Sequence, residues 1–152
     1  MKIIKLFLLF FFLVSCKQGR DGLFDQEDSK KEFIYCEFQK DKDCNFSLQE
    51  NNQILFSGKI DLNPKPVRVM KEITFTIELN QYEFDPEEIL LDLTMPEMYM
   101  GENKVILKKN QKNVYEGKGV LPECSSNFTR WNIEIFFNNR KSTNIQFDIL
   151  SK

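Results

Sequence analysis

Apolar and polar residues alternate with a period of two along several stretches of the chain. Ile73, Phe75, Ile77 and Leu79 alternate with Glu72, Thr74, Thr76 and Glu78. Trp131, Ile133, Ile135 and Phe137 alternate with Asn132, Glu134 and Phe136, and Ile145, Phe147 and Ile149 with Gln146 and Asp148. In an extended chain this spacing sends successive side chains to opposite faces, so each stretch reads as a strand with one buried face. Tyr115, Gly117, Gly119 and Leu121 share a face of another strand, and shorter candidates lie at 33–38, 53–62, 89–94 and 104–108. Turn-forming residues separate these stretches: Glu50-Asn51-Asn52, Asn63-Pro64-Lys65-Pro66, Asp85-Pro86, Gly101-Glu102-Asn103, Pro122 and Asn138-Asn139-Arg140. No convincing helix of ten or more residues is found. The pattern predicts an all-β fold, an immunoglobulin-like antiparallel β-sandwich of about seven to nine strands.

The start of the chain has a different pattern. Lys2 and Lys5 precede an unbroken apolar run at 6–14. A bilayer crossing needs ~20 apolar residues. The run instead suits the apolar core of a secretory signal, usually ~7–15 residues long. It ends in Leu13-Val14-Ser15-Cys16, which resembles a lipobox, the site where a cysteine thiol is acylated and the chain cut before it. The expected organisation is a lipoprotein signal peptide at 1–15, a flexible polar tether at 16–31 with lipidated Cys16 (palmitate-class chains), and a β-sandwich domain at 32–152. Such a chain would face the periplasm of a bacterial envelope, held to the membrane by its lipid. Lys17 favours the outer over the inner membrane.

Composition narrows the chemistry. The chain has 21 basic and 23 acidic residues, a formal charge of −2, and no histidine. Without a basic stripe, no nucleic-acid partner is expected. Without histidine, Ser–His and Cys–His nucleophile systems are excluded, as is the commonest ligand of zinc and copper(II). A non-catalytic role is therefore expected. Paired carboxylates such as Glu87-Glu88 fall in turns and read as solvated surface.

Besides Cys16 the chain has Cys36, Cys44 and Cys124. An exported chain meets an oxidising compartment, so a disulfide is expected, with one thiol left over. Cys36 with Cys44 is the favoured pair; a bond from Cys124 to either is the alternative. Met98 and Met100 are two apart and project from one face if extended. Thioether and thiolate sulfurs are soft ligands that select copper(I), so Met98, Met100 and Cys124 form a candidate copper(I) site if the fold brings them together. Methionines also serve as adaptable core side chains.

One segment carries a resemblance. Met98-x-Met100-Gly101-x-Asn103, then Leu121-Pro122-x-Cys124, then Trp131, with the early pair Cys36 and Cys44, resembles a group of small, uncharacterised bacterial exported proteins. More distantly, the methionine-rich turn is similar to YtkA-like and FixH-like periplasmic domains. That resemblance implies an immunoglobulin-like fold and a link to copper handling or cation transport. The expected role is accessory copper(I) handling by a membrane-anchored domain. A metal-free module binding or inhibiting another envelope protein is the alternative.

Overall fold

The computed structural model describes residues 33–40, 42–124, 129–138 and 140–149. Cys16, the signal segment and the tether lie outside the described residues. The described chain is all β. Its nine strands are β1 (Phe33–Cys36), β2 (Cys44–Glu50), β3 (Gln53–Asn63), β4 (Glu72–Tyr82), β5 (Glu88–Thr94), β6 (Lys104–Gln111), β7 (Val114–Val120), β8 (Arg130–Phe137) and β9 (Arg140–Asp148).

The period-two stretches bury the face they were expected to bury. Ile73, Phe75, Ile77 and Leu79 of β4 are buried, as are Ile89, Leu91 and Leu93 of β5 and Trp131, Ile133, Ile135 and Phe137 of β8. Strand β2 is absent from the sequence-based candidates, because Phe46 and Leu48 alone give too short an alternation. It forms as the partner of β3 across a two-residue turn in which Asn51 and Asn52 both have positive φ. Asparagine tolerates that conformation, which matches the twist of a hairpin.

The strands form one sheet in the order β1-β9-β8-β5-β6-β7-β4-β3-β2. All pairings are antiparallel except β1 with β9, which is parallel. The sheet is rolled so that its two halves face each other. Phe56 of β3 stacks on Phe137 of β8 with ring centroids 4.1 Å apart, and Phe46 of β2 lies 6.4 Å from the same ring. A sandwich-like core is thus enclosed by one continuous sheet.

Two features hold the roll. The first is the disulfide between Cys36 and Cys44, with Cα atoms 5.5 Å apart. Cys36 ends β1 and Cys44 begins β2, and these are the two outermost strands of the sheet. The bond therefore clasps one edge to the other. Two residues of the loop between them turn inward. Phe38 is buried edge-on against Phe147 at 5.1 Å. Gln39 accepts a hydrogen bond from the Val67 backbone N–H (2.9 Å) and donates to the Val67 and Asp148 carbonyls.

The second feature is a close crossing of β6 over β7. These strands pair only from Lys108 to Gln111, while β7 pairs with β4 along its whole length. The earlier half of β6 lies over Gly117 and Gly119. A Cβ on Gly117 would stand 2.5 Å from the Ile106 carbonyl oxygen, and one on Gly119 would stand 2.5 Å from Val105 Cγ2. Both distances are too short for non-bonded atoms; at Gly117 the obstacle is backbone, so the crossing requires glycine there, whereas at Gly119 it is a valine methyl.

Tyr115 ties the crossing strand β7 to the β4–β5 connection. Its hydroxyl lies 2.9 Å from Asp85 Oδ1 and 2.8 Å from the Pro86 carbonyl, to which it donates. Burial, and then the bond to Asp85, raise its pKa well above the ordinary tyrosine value. Lys109 and then Tyr115 hold the Asp85 carboxyl below its usual range.

Three outcomes follow. Replacing Cys36 and Cys44 by serine should cost about 2–3 kcal/mol and lower the calorimetric Tm by about 10 °C, since the bond restricts the unfolded chain; an unchanged Tm would exclude the clasp. Gly117→Ala, meeting backbone rather than a movable side chain, should cost about 2–3 kcal/mol in urea unfolding. Tyr115→Phe should cost about 1 kcal/mol at neutral pH. A raised tyrosine pKa gives stability that is present below the unfolded value of about 10 and lost as pH rises beyond it. The variant should therefore lose stability less steeply than the wild type above about pH 10.

Candidate metal centre

Strands β5, β6 and β7 are three consecutive antiparallel strands, and β8 returns to lie beside β5. The spatial order β8-β5-β6-β7 is that of a Greek key. The return from β7 to β8 must cross the sheet end at which β5 connects to β6. Residues 95–103 and 121–124 therefore share one end of the fold.

Hydrogen bonds fix both segments there. The Leu93 N–H donates to the Asn103 carbonyl at 2.8 Å, closing the base of the β5–β6 connection. Asn103 Nδ2 donates to the Val120 carbonyl at 3.4 Å, joining that connection to the end of β7. The Met70 N–H donates to the Leu121 carbonyl at 2.8 Å. Gly101 has φ of +76° with open space around its missing side chain, so backbone conformation calls for glycine here.

Within the connection, Met95-Pro96-Glu97-Met98 forms a tight turn. Met95 and Met98 pair as an isolated antiparallel bridge, and the Met98 N–H lies 3.4 Å from the Met95 carbonyl. Proline at the second position is pre-set for such a turn. Met98 and Met100 are both half-buried, while Tyr99 between them is 88% exposed. Both methionines pack against the core.

The turn meets Cys124. Cys124 Sγ lies 3.5 Å from Met98 Sδ, the thiol donating to the thioether. Cys124 is buried and retains its thiol, the disulfide being formed by Cys36 and Cys44. Met98 and Cys124 are thus brought together. Met100 lines the same surface cleft of about 520 Å³ as Met98 and Met95. Asp92, Glu97 and Glu102 also line it, and Lys104 pairs with Glu102 at 3.3 Å. Three carboxylates against one lysine give the cleft a field that favours a cation.

Among the described residues no three Cys, Asp or Glu side chains gather as a metal-binding group, and a donor that touches the Cys124 thiol is the Met98 thioether. A metal bonded to both sulfurs at about 2.3 Å with an angle near 120° would separate them to about 4 Å. The observed 3.5 Å needs only a half-ångström opening, well within the reach of a methionine with three rotatable bonds. Met95 was assigned to no site by its sequence position, which is that of the last inward residue of β5. The relevant signal was its place three residues before Met98 across a proline turn.

Compared with protein-family models, with curated proteins and with solved structures, the chain gives no match.

Met98 also covers the Cys124 thiol. Met98→Ala should raise the rate at which a thiol reagent modifies Cys124 in the folded protein by about tenfold, as native-state accessibility increases. An unchanged rate would mean that burial of Cys124 comes from elsewhere.

Proposed function

We propose that this protein is a non-catalytic, membrane-anchored envelope domain that handles copper(I). The single observation that carries the reading is the 3.5 Å contact between Cys124 Sγ and Met98 Sδ at the edge of a methionine-lined, acid-rimmed cleft. A thiolate and thioethers are the ligands that a soft, monovalent ion selects, whereas zinc and magnesium favour nitrogen and oxygen. Cys124 and Met98 form the binding pair, and Met100 lines the cleft with Met98. The thiol gives up its proton on binding, so affinity falls as pH falls.

Lipid on Cys16 supplies the anchor. The support is the order of positive, apolar and lipobox residues at 1–16. The tether at 16–31 gives the domain reach from the membrane, with its cleft in the periplasm and the outer membrane the favoured site. In that compartment the Cys36–Cys44 bond stays oxidised, leaving Cys124 as the domain's ligating thiol. Accessory copper delivery or tolerance is the role that fits.

The test is an anaerobic copper(I) competition titration on the chain from residue 17 onward, disulfide intact. One copper(I) should bind tighter than micromolar, and Met98→Leu and Cys124→Ser should each weaken binding by at least about tenfold. Affinity weaker than micromolar, or unchanged in both variants, would refute the reading. Mass spectrometry of the membrane-extracted protein tests the anchor: acyl mass on Cys16 is the expected result, lost in Cys16→Ser.

A further inference from the structure

Met95 faces the same cleft as Met98 and is its bridge partner, which adds a sulfur outside the set that spacing alone suggests. In a directly opposed antiparallel pair, Cβ atoms lie about 4.5–5.5 Å apart on one side of the ladder. The Met95 thioether thus starts next to Met98, whose sulfur already touches Cys124. Burial separates the three methionines. Met95 is 5% exposed, while Met98 and Met100 are half-buried.

The surroundings of Met95 are rigid. Leu93 pairs with Ile133 and Thr94 with Asn132, so the register of β5 on β8 runs toward Met95 opposite Trp131. Trp131 is fully buried. The turn Met95–Met98 is closed by its own hydrogen bond, and the base of the whole connection by Leu93 and Asn103. A ligand held by such elements is positioned before the ion arrives, and pre-positioning favours affinity.

We propose that Met95 is the inner sulfur ligand of the site, completing a three-sulfur set with Met98 and Cys124, and that Met100 is the outer sulfur at which the ion enters. This inference rests on the copper(I) reading of the site. It assigns retention to a buried thioether and capture to an accessible one. Binding breaks one S–H bond at Cys124, releases that proton to water and changes no oxidation state.

The test uses silver(I), a redox-inert soft ion, and the chain from residue 17 onward with methionine methyl groups labelled with carbon-13. At one equivalent the Met95 and Met98 methyl resonances should both shift. Met70, 62% exposed and outside the cleft, should not. Met95→Leu, which conserves volume, should weaken copper(I) binding by about tenfold or more, and Met100→Leu by less. If Met98 shifts and Met95 does not, or Met95→Leu binds as tightly as the wild type, Met95 is no ligand and only this inference falls. If no methionine shifts and no copper(I) binds, the copper(I) reading falls with it.

Discussion

The rolled sheet depends on a close approach of two backbones, where β6 passes over Gly117 of β7. A Cβ at Gly117 would meet the Ile106 carbonyl and hold the strands apart. With the crossing in place, the two halves of one sheet can face each other and bury Phe56 against Phe137. The Cys36–Cys44 bond then joins the outer strands β1 and β2, so the outermost strands of the sheet are covalently linked. Open sheet edges are templates for unwanted pairing, and the clasp holds β1 to the fold although only four residue pairs join it to β9.

The same crossing places the candidate centre. Because β6 leaves β7 there, the β5–β6 connection stands at the end of β7, where Asn103 bonds the Val120 carbonyl. The Greek-key return to β8 must then pass that connection, and Cys124 lies on the return. Chain topology, rather than any local preference, brings a thiol and a thioether 26 residues apart into contact. The donor types are those that a soft metal ion selects. The acidic rim from Asp92, Glu97 and Glu102 adds attraction for a cation without supplying the ligands.

Much of the fold was legible in the sequence because half-buried strands write their burial as alternation. Strands β4, β5, β8 and β9 are read directly from Ile73 to Leu79, Ile89 to Leu93, Trp131 to Phe137 and Ile145 to Phe147. Strand β2 was not, since Asn45, Ser47 and Gln49 surround only two apolar residues. The parallel pairing of β1 with β9 joins residues more than a hundred positions apart, and no local pattern carries that information. Of the site, the residue types and the Met98–Met100 spacing were legible, as was the favoured disulfide. The meeting of Met98 with Cys124 depends on the crossover. Met95 carried no such signal, because a strand-end methionine fits a core position, and its bridge to Met98 is visible only in the fold.

The central claim is that sulfur alone binds the ion at this end of the sheet. Copper-edge X-ray absorption on the anaerobically loaded protein measures this most directly. A first shell of sulfur only, three-coordinate at about 2.3 Å, is the result that agrees with Cys124, Met98 and a further thioether as ligands. A shell dominated by oxygen or nitrogen would place the ion among the carboxylates and contradict it, and a shell unchanged when Cys124 and Met98 are replaced would contradict it as well.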